Sequence, residues 1–317
     1  MSVIGGYFGL ELNDFGSVYH DKAVALNTGR NALEYILFIK KYKKVFIPYY
    51  TCDVTLQPIK RLNVDFEFYH LDENFSPIIE SIKEDEVLLY VNYFGILNNK
   101  LTAVIEKYIN VIIDNAQAFF VQPINNVSTF YSPRKFFGMS DGGFAYVETN
   151  QNIDLDQDIS LDRISHLIKR IENGAEAGYK SFLSENTKLD NIPFRKMSLL
   201  TNKLLRNINF DKVRNIRNNN FKTIHSALGS INELTPLIES EFIDGPMSYP
   251  FLKKGNEELK KNLIEKKVFV ATYWPNVKIW LKGKDCYELY LYNNLIPIPI
   301  DQRYNGVDMN RIIELIK

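Results

Sequence analysis

The chain has 317 residues, 45% of them hydrophobic and 24% charged, the proportions of a soluble globular protein with room for one large domain and a smaller one. Its 38 basic and 38 acidic residues cancel, which gives no support for a nucleic-acid or anionic-membrane partner but leaves room for a local basic patch. Only Cys52 and Cys286 occur, without CxxC spacing, which argues against a disulfide framework and a structural zinc site.

The opening Met1-Ser2-Val3-Ile4-Gly5-Gly6 lacks a basic segment followed by an apolar core, so no signal peptide is expected. No apolar run approaches the roughly 20 residues of a membrane helix. A cytoplasmic protein is the expectation. Residues 23–40 read as a short strand running into Asn27-Thr28-Gly29-Arg30-Asn31 and then a helix, with Ala32, Leu33, Ile36, Leu37 and Ile39 near helical period. Val45-Phe46-Ile47 reads as a buried strand stopped by Pro48. Val54 to Leu62 reads as helix and Asp65 to Tyr69 as strand. The run Val87 to Tyr93 is of strand length and ends at a turn glycine, Gly95. Leu101 to Tyr108 is helical, Val111 to Ile113 is a strand that ends on Asp114, and Phe144 to Val147 is a further apolar run.

Strands that are apolar on both faces and alternate with helices predict a mainly parallel sheet sandwiched by helices. Ligands of such sheets bind beyond the carboxyl ends of the strands, where Thr28-Gly29, Pro48 to Thr51, Asn92 to Gly95 and Asp114 converge. After Glu148 the chain turns polar and acidic over 151–160, and helical periodicity resumes from Ile164 to Ile171. Asn186 to Ser198 is irregular, and Leu199 to Gly229 reads as one long helical segment. Beyond a break at Gly245-Pro246, a strand at 249–252, a helix at 256–266, a strand at 268–273 and a helix at 307–316 suggest a small α/β unit. The expected division is a large cofactor-binding domain over 1–240 and a small C-terminal domain over 241–317.

Two phrases carry chemistry. Asp114 ends a buried strand and is followed by Asn115-Ala116-Gln117; Lys135 stands 21 residues later, between Ser132-Pro133-Arg134 and Phe136-Phe137-Gly138. This pair suits bound pyridoxal 5'-phosphate, the acid holding the pyridine nitrogen protonated and the lysine holding the aldehyde as a Schiff base. Asp114 could equally cap a helix starting at Ala116, and most lysines are solvated surface groups. The aromatic company of Lys135 would desolvate its ammonium and favour the neutral amine. Gln117 could bond the ring hydroxyl or hold the acid. Thr28-Gly29-Arg30-Asn31 opens a helix, where amides favour a phosphate, or forms an ordinary N-cap. Ser132 is a second phosphate candidate, or a turn residue. The four histidines, His20, His70, His166 and His225, show no metal-ligand spacing, so no metal is expected, and GxSxG is absent.

In order along the chain these residues resemble the DegT/StrS family of pyridoxal-phosphate sugar aminotransferases, in the aspartate-aminotransferase-like fold. Gly5-Gly6-Tyr7-Phe8 with Glu11 resembles the family's opening, and Thr28-Gly29-Arg30-Asn31-Ala32-Leu33 its phosphate turn. Ile47-Pro48-Tyr49-Tyr50-Thr51 resembles the Pro-x-Tyr-Thr segment, and Asn92-Tyr93-Phe94-Gly95 a strand-ending turn. Asp114-Asn115-Ala116-Gln117 matches the ring-nitrogen acid, and Lys135 with Gly138 and Asp141-Gly142-Gly143 the Schiff-base lysine and its glycine turn. The resemblance implies a homodimer with shared sites, a nucleotide-linked keto sugar as substrate and glutamate or glutamine as amino donor. It also implies Asn92 and Cys52 beside the cofactor. In related dehydratases a histidine replaces the lysine, so Lys135 points to transamination. The chain departs from the family at Cys52, where an aromatic usually stacks on the cofactor and for which Tyr50 or Phe94 could substitute. It departs again at Asn191-Ile192-Pro193-Phe194-Arg195, where the spacing of Asn-x-Arg is altered, and in its shorter C-terminal half.

Overall fold

Alternation within the buried strands sets the architecture. In the computed structural model, which describes residues 4–151 and 153–317, the strands are β1 (Val24–Leu26), β2 (Lys44–Pro48), β3 (Asp65–Leu71), β4 (Pro77–Ile78), β5 (Glu86–Val91), β6 (Val111–Asp114), β7 (Ser128–Tyr131) and β8 (Gly143–Tyr146). Val45, Ile47, Val87, Leu89 and Ile112 face the helix Gly29–Lys40 and pack on its Ala32, Leu33, Ile36 and Leu37. The intervening Phe46, Leu88, Tyr90 and Ile113 face the other way, onto Leu101, Val104, Phe221 and Ile224. Strand period 2 thus feeds two cores, one on each face. Each fully buried aliphatic side chain contributes about 1.5–3 kcal/mol.

The eight strands form one sheet in the order β1-β8-β7-β6-β5-β2-β3-β4. β7, β6, β5, β2 and β3 run parallel; β8, β1 and β4 join antiparallel at the two edges. The parallel centre brings the ends of β2, β5, β6 and β7 to one edge. There β6 sits in register between its neighbours, with Asp114 opposite Val91 on one side and Phe130 on the other.

The C-terminal part holds a second sheet, β9 (Ser248–Leu252) paired antiparallel with β10 (Leu295–Pro299). Tyr249, Phe251, Leu291 and Ile298 belong to the same core cluster as Tyr90 and Ile113 of the main sheet, so the packing is continuous across residue 240. Three sequence expectations are corrected. Residues 268–273 form no strand: Val268 and Val270 are buried and Phe269 is exposed, but the partner of β9 is Leu295–Pro299, so the alternation encoded burial without pairing. The helical segment after Leu199 is two helices, Leu199–Arg206 and Phe210–Leu228, because the Asn209 side chain accepts from the Lys212 amide and starts a new one. The run from Val87 ends at Val91, since Phe94 lies at φ 58° in the turn that follows. The expectation resting on the first residues, Met1-Ser2-Val3, lies outside the described residues.

A third cluster, of Phe119, Phe120, Tyr131, Phe136, Phe137 and Phe144, encloses His20. His20 donates from Nε2 to the Phe119 carbonyl at 2.8 Å and faces the Tyr146 hydroxyl with Nδ1 at 3.2 Å. Burial pushes its pKa down to about 4 from 6.5, against the bond to Phe119. The unfolded chain therefore binds this proton near pH 6.5 and the folded one only near pH 4. Stability from this site is complete above pH 6.5 and lost as the pH falls through 4, on the order of 3 kcal/mol in all. Thermal unfolding of the wild type and of His20→Gln should show the wild type losing more stability between pH 7 and 4. Parallel curves would refute the assignment.

Candidate active site

The first turn of helix Gly29–Lys40 is built by close backbone contact. Thr28 caps the helix, its Oγ1 accepting from the Asn31 amide at 3.0 Å and donating to Asn31 Oδ1 at 2.9 Å. The Gly142 amide donates to the Asn27 carbonyl at 2.7 Å. A Cβ at Gly143 would stand 2.2 Å from the Thr28 carbonyl oxygen, so only glycine lets β8 close against this turn. A Cβ at Gly29 would lie 2.9 Å from Ser132 Cβ, which presses Ser132 against the helix start.

Asp114 projects from the end of β6. No helix begins at Ala116; instead Asp114 Oδ1 accepts from the Ala116 amide at 2.8 Å in a short turn. Its second oxygen has no protein partner among the described residues. Burial raises the carboxyl pKa, while Lys135 and the Ala116 amide oppose that rise. Asp114 and Lys135 both line one cavity.

Lys135 closes a single 3-10 turn, Pro133–Lys135, straight after β7. The desolvation expected from its aromatic neighbours is not what the structure holds. Phe136 and Phe137 are 3% and 5% exposed because they turn into the third core cluster, and this turns Lys135 outward to an exposed position. Its side chain makes no hydrogen bond or ion pair among the described residues, so the amine is unengaged.

A cavity of about 340 Å³ joins these groups and is lined by Thr28, Gly29, Arg30, Cys52, Asp114, Gln117, Ser132 and Lys135. Two residues expected there are elsewhere. Asn31 is fully buried and bonds the Ile192 carbonyl and Thr28, and Asn92 is fully buried and bonds Asn98, Asn115 and the Leu97 amide. Both hold turns and do not reach the cavity. Gln117 does reach it, but its Oε1 accepts from the Phe94 amide at 2.9 Å and it has no bond to Asp114. Arg30 directs one guanidinium nitrogen to Gln57, the Leu189 carbonyl and Asp190. The segment 191–195 lies against the start of the chain's own first helix, through Asn27 and Asn31, and against Arg61 of the helix Leu56–Arg61. Cys52 lines the wall as a thiol whose pKa burial raises.

Tyr50 and Phe94, the expected substitutes for an aromatic at Cys52, are fully buried in the core. The indole that reaches the cavity beside Cys52 is Trp274, from the C-terminal part. Asn276 secures that loop, donating to the Thr51 carbonyl at 2.8 Å. Sequence reasoning missed Trp274 because 222 residues separate it from Cys52; its position before Pro275, which starts a helix, was the one local signal. Arg134 also lines the cavity and was likewise missed. Away from the site, His70, Cys286 and Glu288 bring their donor atoms within 4.8 Å of one another, a grouping invisible in the spacing. Glu288 is fully buried and already accepts from the Leu71 amide and meets His70, so the cluster is satisfied by its own hydrogen bonds.

No family model matches the sequence, and no curated protein matches it. Solved structures do match the fold. Sugar aminotransferase CalS13 from Micromonospora echinospora superposes with a TM-score of 0.68 at 15% identity, covering 94% of this chain and 87% of its own. A DegT DnrJ EryC1 StrS aminotransferase from Brucella abortus superposes with a TM-score of 0.64 at 16% identity, covering 94% and 85%. The E. coli GDP-4-keto-6-deoxy-D-mannose-3-dehydratase, solved with bound hydrated PLP, gives 0.62 at 14% identity, covering 96% and 88%. The chain has the fold of these sugar-modifying enzymes along almost all of its length.

Proposed function

We propose that this chain is a pyridoxal-phosphate-dependent aminotransferase that replaces the ketone of a nucleotide-linked sugar with an amine, taking the amino group from glutamate. The observation that carries the reading is the pairing of Asp114 and Lys135 across one cavity, a buried carboxylate with a free oxygen facing an unengaged amine. The cavity also suits the cofactor's two ends. Gly29 and Ser132 offer a crowded helix start and a hydroxyl for a phosphate, and Asp114 offers a charge for a ring nitrogen. The fold of the sugar aminotransferases supports the same reading.

When bound, the cofactor supplies an electron sink for the carbon that loses its proton. The chain's own residues do the rest. Lys135 would hold the cofactor through its Nζ, and the same amine, when free, would take and return a proton at the substrate carbon. Asp114 would keep the proton on the cofactor's ring nitrogen. Trp274 closes the wall beside Cys52 and limits water. Lys135 also opens onto a neighbouring cavity of about 400 Å³ lined by Phe137, Tyr179, Arg170 and Arg303, and there we place the nucleotide sugar.

A second copy of the chain belongs to this proposal. Tyr7 and Phe8 are 99% and 93% exposed, and Ile171 and Leu183 are exposed along the helix Ser165–Thr187. Apolar surface of this kind is what a homodimer would cover. Sedimentation should give twice the chain mass; a monomer at all concentrations would refute it.

Purified protein loaded with pyridoxal phosphate should convert dTDP-, UDP- or GDP-linked keto sugars to amino sugars when glutamate is supplied. Loss of a hydroxyl from the sugar without gain of nitrogen would replace transamination with dehydration. No product from any acceptor, with the cofactor firmly bound, would refute the sugar reading.

A further inference from the structure

Where the helix start borders the cavity, Arg134 is a cation with no neutralising partner among the described residues. Thr28 Oγ1 is committed to the helix cap, and Arg30 is held by Asp190 at 2.6 Å and by Gln57 at 2.8 Å. Arg134 differs: its guanidinium makes no hydrogen bond and no ion pair among the described residues. The carboxylate that acts on it most, Asp141, is itself held by Arg163, Ser160 and Thr201. Burial and the neighbouring Arg30 charge push the Arg134 pKa down to about 10, the mark of a partly desolvated cation facing another cation. An unpaired guanidinium in such a place is costly, and an anion that presents two oxygens to its paired N–H groups, as a phosphate does, relieves it best.

A second observation points to the same ligand. Ser132 is 6% exposed, its Oγ has no protein partner among the described residues, and it lines the cavity against Gly29. Ser132 and Arg134 flank Pro133 on the turn that carries Lys135, so a group held covalently at the lysine would have its anionic end within reach of that same turn.

We infer that Arg134 clamps the phosphate of the cofactor, with Ser132 as hydroxyl donor, so that one short turn supplies both the covalent anchor and the charge that neutralises the phosphate. This assignment rests on the proposed cofactor. Arg134 also borders the neighbouring cavity, so a substrate anion is the competing ligand.

The test compares pyridoxal 5'-phosphate with pyridoxal, which lacks only the phosphate, by absorbance titration of the bound chromophore. Arg134→Gln should weaken the phosphate ester by about 10- to 100-fold, the effect of losing one charge-assisted hydrogen bond. Pyridoxal should bind the variant as it binds wild type, to within about twofold, the range set by loss of no contact. Arg134→Lys should recover part of the loss, and inorganic phosphate should compete with the ester more strongly in wild type than in Arg134→Gln. An unchanged ester-to-pyridoxal ratio in Arg134→Gln, whether both bind well or both bind poorly, would overturn the assignment while leaving the cofactor reading intact. Unchanged cofactor binding with a raised KM for the sugar substrate would overturn it in favour of the substrate anion. A wild type that captures neither aldehyde would overturn the cofactor reading and the clamp together.

Discussion

Replacing Lys135 with alanine should abolish covalent capture of pyridoxal phosphate and lower transamination by at least about 10³-fold. The magnitude follows from two roles lost at once. Proton transfer by a positioned group alone contributes about 10²–10⁴-fold, and covalent anchoring adds to it. The fold should survive, because Lys135 is exposed and bonds no other side chain. Borohydride treatment followed by peptide mapping gives the readout. Wild type should carry the label on Lys135, and the variant should carry none there. Lys135→Arg separates charge from chemistry, since it keeps the cation beside Asp114 but cannot perform the amine's covalent work. A wild-type label on some other lysine, or full activity in Lys135→Ala, would refute the reading of the site.

Arg163→Met should cost about 3–5 kcal/mol of stability, the range for removing one partner of a buried ion pair. Arg163 is 8% exposed at its side chain and lies 2.9 Å from Asp141 and 2.6 Å from Asp158, which are 1% and 5% exposed. Without it, Asp141 loses its ion-pair partner and Asp158 keeps only Arg195, at 3.9 Å. Asp141 also accepts from Ser160 and Thr201, so the loss would loosen the joint between the Gly142-Gly143 turn and residues 158–201. The melting temperature should fall by about 5–8 °C. Adding Asp158→Asn should restore part of it, because one uncompensated charge then disappears. A melting temperature within about 1 °C of wild type, below what 1 kcal/mol would produce, would show that the network adds nothing.

The main sheet was legible in the sequence because β2, β5 and β6 are buried on both faces and read as unbroken apolar runs. The helix Gly29–Lys40 was legible because its cap and its period agree. Asp114 stood out because it ends an apolar strand run, and Lys135 because it stands among phenylalanines 21 residues later; the structure brings both to one cavity. The orientation of Lys135 was not: flanking phenylalanines say that the local chain is buried, but not which way each side chain turns. Asn31 and Asn92 sit beside site residues in sequence, yet a turn needs their amides more than a ligand does. Trp274 and the His70-Cys286-Glu288 cluster depend on contacts more than 200 residues apart, which spacing cannot encode. The Val268–Tyr273 alternation was legible as burial but not as pairing, since a ladder also needs a free neighbouring edge.

Trp274 and the Asn276–Thr51 hydrogen bond bear on the order in which the molecule is made. A chain growing from its N-terminus would have both Asp114 and Lys135 well before residue 274 emerges. Until then the cavity has a floor and an anchor but lacks its indole wall, and the lysine stands open to any passing aldehyde. Completion of the last quarter of the chain is thus the event that adds the indole wall to a cavity whose acid and amine are already in place.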